Sequence, residues 1–73
     1  MKIQSVNEAF SMEPAWYQVG TKCNGIIIKE IKRTIRPISN DLYECYEGYD
    51  KDNNVLFSLL ATSANVTYEK EEK

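Results

Sequence analysis

The side chains best equipped for chemistry in this chain are charged, and they fall into two blocks of opposite sign. Residues 22–36 carry Lys22, Lys29, Lys32, Arg33 and Arg36 against Glu30 alone, and residues 41–52 carry Asp41, Glu44, Glu47, Asp50 and Asp52 against Lys51 alone. Lys32, Arg33 and Arg36 could together hold a phosphate or an acidic protein surface, the arginines through forked, bidentate hydrogen bonds. Glu44 and Glu47 offer a matching acidic patch. The competing reading is that two adjacent antiparallel strands of opposite charge pair with each other across a sheet, each pair contributing about 0.2–1 kcal/mol.

The parts needed for catalysis are missing. There is no histidine, which removes the commonest general base and metal ligand, and two cysteines are too few for a structural zinc site. Gly20, Gly25 and Gly48 are scattered, so neither a phosphate-cradling loop nor a dinucleotide fingerprint forms. Asp50-x-Asp52-x-Asn54 opens like a calcium loop, but Val55 stands where glycine is needed and Ala61 where a bidentate glutamate is needed, so a hairpin turn is the reading. Glu44 and Glu47 fall on opposite faces of a strand, which separates them as an acid/base pair. The expectation is a protein that is not an enzyme and uses no metal and no cofactor.

Five tyrosines in 73 residues suggest contact surfaces, because tyrosine combines a large apolar face with a polar tip. Tyr17, Tyr43, Tyr46 and Tyr49 are possible stacking faces. The competing reading puts Tyr43 and Tyr68 in the core, and Tyr46, opposite Tyr43 and Cys45 in the alternation, is the candidate exposed contact residue. The candidate binding set is therefore Lys32, Arg33, Arg36 and Tyr46.

Seventy-three residues with 42% hydrophobic and 27% charged side chains describe one small folded domain. A domain of this size buries only about 60% of its unfolded surface, so self-association into a dimer or larger homo-oligomer is expected to supplement the core. The first residues hold no apolar leader segment, and no run approaches the roughly 18 apolar residues of a membrane span. A cytoplasmic protein with reduced thiols is expected, Cys45 in the core and Cys23 flanking a turn. Asn65-Val66-Thr67 has glycosylation spacing but reads as strand. A net charge of −2 argues against duplex DNA and suits a small anionic ligand or a protein surface.

The elements that would position these residues are mostly strands. Ser5 to Glu8 fits a capping box and Val6, Ala9 and Phe10 follow at helical spacing, which predicts a short helix over 6–12 that Pro14 ends. Residues 1–14 are thus a helical turn and lead-in, 15–69 the β core and 70–73 a frayed tail. Asn24-Gly25 is a turn. The isoleucine-rich run 26–36 satisfies helical spacing yet favours strand by its β-branched content, and as a strand it needs a bulge near Lys29-Glu30 or a change of covering layer. Pro37 is expected to end it. Residues 42–49 form the next strand, 50–54 a hairpin loop, and Val55, Phe57 and Leu59 share one face of the following strand. Val66 and Tyr68 point inward from the last.

From Val19-Gly20-Thr21-Lys22 through Asn24-Gly25-Ile26, Ile31, Tyr43-Glu44-Cys45-Tyr46, Val55-Leu56-Phe57 and Asn65-Val66-Thr67, the layout resembles small SH3-like barrels of phage and mobile-element accessory proteins. The resemblance covers about residues 17–69. It implies an all-β fold, either a small SH3-like barrel or a bent antiparallel sheet of four to five strands, with the N-terminal helical turn added. It also implies a counter-defence binding protein in the host cytoplasm, which neutralises a host component by sequestering a nucleotide signal or by masking a host effector protein. Basic and aromatic side chains at an oligomer seam suit the first route. The acidic patch around Glu44 and Glu47, able to imitate nucleic-acid phosphates, suits the second. The alternatives are a structural or assembly subunit of a virion or complex, and a single-stranded nucleic-acid binder.

Overall fold

The computed structural model describes residues 2–9, 12 and 16–69. Among them lie eight strands: β1 (Ile3–Glu8), β2 (Trp16–Gln18), β3 (Lys22–Cys23), β4 (Ile26–Ile27), β5 (Glu30–Ile38), β6 (Asp41–Tyr49), β7 (Val55–Leu60) and β8 (Ala64–Tyr68), with one 3-10 turn at Ala61–Ser63. They form three antiparallel sheets ordered β2-β1-β8, β3-β4 and β5-β6-β7. The fold is mostly β, as expected, but the sheets remain open and do not close into a barrel. No helix among the described residues is long and apolar enough to cross a membrane.

The core forms where the two three-stranded sheets meet. Ile3 and Val6 from β1 pack with Ile28, Ile31, Tyr46 and Phe57, and Tyr17, Val19, Leu56, Leu59 and Val66 close around them. Tyr17 of β2 stacks on Phe57 of β7, ring centroids 3.8 Å apart and planes within 6°. Cys23 is half-buried against this cluster, and both cysteines are free thiols.

Residues 6–8, expected to open a helix, are strand, paired with β2 through Val6↔Tyr17 and with β8 through Val6↔Val66. A register shift between Ile3 and Ser5 inserts one extra residue into β1. That bulge lets Ile3 and Val6, three residues apart, reach the same core, a spacing a regular strand forbids. The remainder of the expected helix falls on residue 9, residue 12 and positions outside the described residues. The predicted tail, 70–73, also lies outside them.

The run 26–36 is extended, as the β-branched content favours, but it is broken: β4 ends at Ile27 and β5 starts at Glu30. The bend sits at the expected place. The Lys29 N–H donates to the Tyr49 carbonyl while Glu30 is the register partner of Tyr49, so two residues of one strand oppose one of the other. Ile28 and Ile31, on either side of it, are both buried.

Pro37 does not end β5, which runs on to Ile38. The reason is position. β5 is an edge strand with β6 as its one neighbour, and a proline is tolerated there when its missing N–H would have pointed away from the ladder. Ser39 and Asn40, with φ of 49° and 70°, make the two-residue type I′ turn that returns the chain into β6.

At the other end of β6, the Asp50 carboxylate accepts from the N–H groups of Asp52 and Asn54 and from the Asn54 amide. These bonds, the Asn54 backbone N–H first, hold its acidity stronger than that of an ordinary aspartate. The acidic loop is a hairpin turn whose carboxylate serves its own backbone. A register shift opposite Gly48 and Tyr49 then places Leu56 as the extra residue of β7, so Val55 pairs with Tyr49 on the face opposite Phe57. Val55 is therefore exposed rather than sharing the inner face with Phe57 and Leu59. Tyr68, expected inward, is also exposed at the end of β8.

Candidate functional site

The candidate contact residues Lys32, Arg33, Arg36, Glu44, Tyr46 and Glu47 lie on the β5–β6 hairpin, whose nine-residue strands are in register from Glu30↔Tyr49 to Ile38↔Asp41. Directly opposed residues share a face. The inner face carries Ile31 and Gly48, Arg33 and Tyr46, Ile35 and Glu44, then Pro37 and Leu42. The outer face carries Lys32 and Glu47, Thr34 and Cys45, Arg36 and Tyr43, then Ile38. Glu44 and Glu47 do fall on opposite faces.

Each glutamate is matched by an arginine on its own face. Arg33 pairs with Glu44 on the inner face, and the carboxylate keeps the guanidinium protonated more firmly than usual. On the outer face Arg36 donates from Nε to Glu47 Oε2 at 2.9 Å and from Nη2 to Oε1 at 2.7 Å. Tyr49 donates to the same Oε1 at 2.7 Å and Ser58 to Oε2 at 3.1 Å. Glu47 is only 3% exposed, and its carboxylate has four donors. Led by the Arg36 bonds, these donors outweigh the effect of burial and hold its pKa at about 2. A carboxylate so saturated has little basicity to lend at neutral pH.

Lys32 stands opposite Glu47 but pairs with Glu30 at 3.2 Å, its ammonium 5.6 Å from the centre of the Tyr49 ring. Burial, and then the bond to Glu47, raise the Tyr49 pKa. The Arg36–Glu47 bridge crosses the Thr34–Cys45 pair that lies between them in the register, so Cys45 is buried beneath it. Cys45 is buried as expected, yet on the face away from the main core.

Two expectations are corrected here. Tyr46 is 8% exposed and belongs to the core, where burial raises its pKa, so it is not an exposed stacking residue. Glu47 is buried, so it does not form an acidic surface patch with Glu44. The opposed charge blocks meet each other across the ladder. Tyr43 is exposed, so of its two readings the core one does not hold.

Besides these paired charges, the hairpin leaves apolar side chains open to solvent. Beyond Arg33, no residue from 34 to 43 joins the core cluster. Ile35 and Leu42 are 59% and 75% exposed on the inner face, and Ile38 and Tyr43 are exposed on the outer face. Tyr43 is among the stacking faces named from the sequence, whereas Ile35, Ile38 and Leu42 escape that reading because an apolar residue in a strand reads as core by default. At the base of the hairpin a cleft of about 740 Å³ brings Lys32 and Arg33 near Lys2 and Lys29, two lysines that the sequence reading left out of the contact set.

No protein-family model matches the chain, and comparisons with curated proteins and with solved structures give no match.

Proposed function

We propose that this chain is a non-enzymatic binding protein whose docking element is the distal half of the β5–β6 hairpin, and that its partner is another protein with an apolar groove. The observation that supports this is the exposure of Ile35 and Leu42 on one face and Ile38 and Tyr43 on the other, with the intervening arginines already neutralised by Glu44 and Glu47. A strip with matched charges and uncovered apolar side chains gains by covering, on the order of 1 kcal/mol per half-exposed side chain. Because both faces carry exposed apolar side chains, the hairpin suits insertion into a groove better than attachment to a flat surface.

In the accessory-protein setting that the sequence layout resembles, this is the masking route: the hairpin covers a working surface of a host effector. The single-stranded nucleic-acid reading has less support, since it needs aromatic platforms along a basic groove. Tyr46 is buried, and Arg33 and Arg36 are engaged by carboxylates.

The test compares the chain with an Ile35→Asp, Leu42→Asp variant. Solution mass and affinity capture are measured together, with far-UV circular dichroism and melting temperature as fold controls. The expected result is a defined stoichiometric partner held by the wild type and lost by the variant, with the fold controls unchanged. A partner retained equally by both would overturn the proposal. So would a wild type that forms only large homomeric species dispersed by the same substitutions, which is the behaviour of an assembly subunit.

A further inference from the structure

The cleft at the base of the hairpin is separate from the docking strip and rests on different residues. It lies between the start of β1, the end of β8 and the edge of β5, and Lys2, Lys29, Lys32 and Arg33 line it against Glu30 and Glu69. Four cations face two carboxylates, and with Arg33 already matched by Glu44 from outside the cleft the excess is one positive charge, in a chain whose net charge is −2. Lys32 is matched by Glu30 and Arg33 by Glu44, whereas Lys2 and Lys29 have no ion-pair partner among the described residues.

The backbone adds donors to the same place. A type I′ turn at Ser39-Asn40 closes on a hydrogen-bonded pair, here Ile38↔Asp41. Bonded and non-bonded pairs alternate along an antiparallel ladder, so the even-numbered residues of β5 bond to β6 and the odd-numbered ones turn their N–H groups outward. Pro37, odd-numbered and without an N–H, obeys this parity. Ile31 and Arg33 therefore turn their N–H groups, each with its own carbonyl beside it, to an edge that no strand pairs, and both residues line the cleft. Tyr68, 42% exposed, stands in its wall.

We propose that this cleft binds the phosphate group of a small ligand, with Lys2 and Lys29 supplying charge and the Ile31 and Arg33 N–H groups supplying fixed donors. Lysine is a compact charge suited to phosphate, and outward N–H groups add direction that mobile lysines lack. A volume of about 740 Å³ exceeds what a lone phosphate requires and suits a phosphate carried on a larger body. Tyr68 offers that body a ring to lie against.

The experiment is calorimetric titration of the full chain at low salt with inorganic phosphate, pyrophosphate and adenosine monophosphate. Amide 1H–15N shifts are followed in parallel. Saturable binding of at least one probe is expected, with shifts centred on Ile31 and Arg33. Lys2→Ala with Lys29→Ala should weaken it at least tenfold, while Lys51→Ala, a cation outside the cleft, leaves it unchanged. A mononucleotide that binds more tightly than phosphate, with the difference erased by Tyr68→Ala, identifies a nucleotide-type ligand; equal affinities identify phosphate alone as sufficient. Absence of saturable binding by all three probes overturns the proposal. Equal losses in the Lys51 variant and the double variant overturn it as well, because they would report net charge and not a site. Neither result bears on the hairpin, whose substitutions lie elsewhere.

Discussion

Gly48 lies directly across the β6–β7 ladder from Phe57, and the phenyl ring fills the volume that a side chain at position 48 would occupy. The other side of that ring is covered by Tyr17, so Phe57 is held between a strand of one sheet and the backbone of the other. The glycine is needed here for close approach; its φ is not in the positive range.

It follows that Gly48→Ala forces the ring out of its place against Tyr17. A loss of about 1–3 kcal/mol is expected from overpacking. Phe57→Ala, which leaves a hole instead, should cost about 3–5 kcal/mol. Urea unfolding of both variants checks the pair, and a Gly48→Ala variant as stable as wild type would show that the ring is not confined.

Glu47 makes stability depend on pH in a defined window. Its pKa falls from an ordinary 4.5 to about 2 in the folded chain, so the folded state holds this proton less tightly than the unfolded one. The stabilisation is complete above about pH 5 and is lost as pH falls toward 2. Its size is on the order of 3 kcal/mol for a shift of this extent. In Glu47→Gln the slope of unfolding free energy against pH between 5 and 2 should flatten; an unchanged slope would assign the acid sensitivity to other carboxylates.

Pro37 keeps the outer edge of β5 from offering an unbroken row of N–H groups. Replacing it with threonine restores a donor beside Ile31, Arg33 and Ile35 and lengthens the edge open to strand addition. The expected outcome is concentration-dependent self-association, read by sedimentation velocity, with little change in melting temperature. A Pro37→Thr chain that sediments like wild type at every concentration would show that the charged side chains guard the edge unaided.

Ser39 and Asn40 both occupy the left-handed region that non-glycine residues enter at a cost of about 1 kcal/mol each. Ser39→Asn with Asn40→Gly installs the residues that this turn favours. The double variant should gain about 1 kcal/mol in chemical unfolding without altering the hairpin register. A loss would mean that the serine hydroxyl contributes more to the turn than its backbone conformation costs.

The sequence showed which residues alternate but not which alternate set faces inward. In β6, Tyr43 and Cys45 were read as the inward set and Tyr46 as the outward one. The structure puts Tyr46 inward, and Cys45 is buried on the far face because the Arg36–Glu47 bridge covers it. Two covered faces give one pattern, and parity alone cannot assign them. The N-terminal segment differs for another reason: the capping-box fit of Ser5 to Glu8 and the Val6–Ala9 spacing are local cues, and the pairing of β1 with both β2 and β8 overrides them. By contrast, the opposed charge blocks were visible as a pairing because complementary sign is what two adjacent strands need. The lysine cleft was not visible, since Lys2 and Lys29 meet only through the way β1 and β5 are brought together.

The separation between the buried base of the β5–β6 hairpin and its uncovered end also bears on how such a protein changes over generations. Ile35, Ile38, Leu42 and Tyr43 are outside the core cluster, so exchanging them draws little on the free energy that keeps the chain folded. Selection can therefore retune the recognition strip against a partner that is itself changing, while the Gly48–Phe57–Tyr17 wedge stays fixed beneath it.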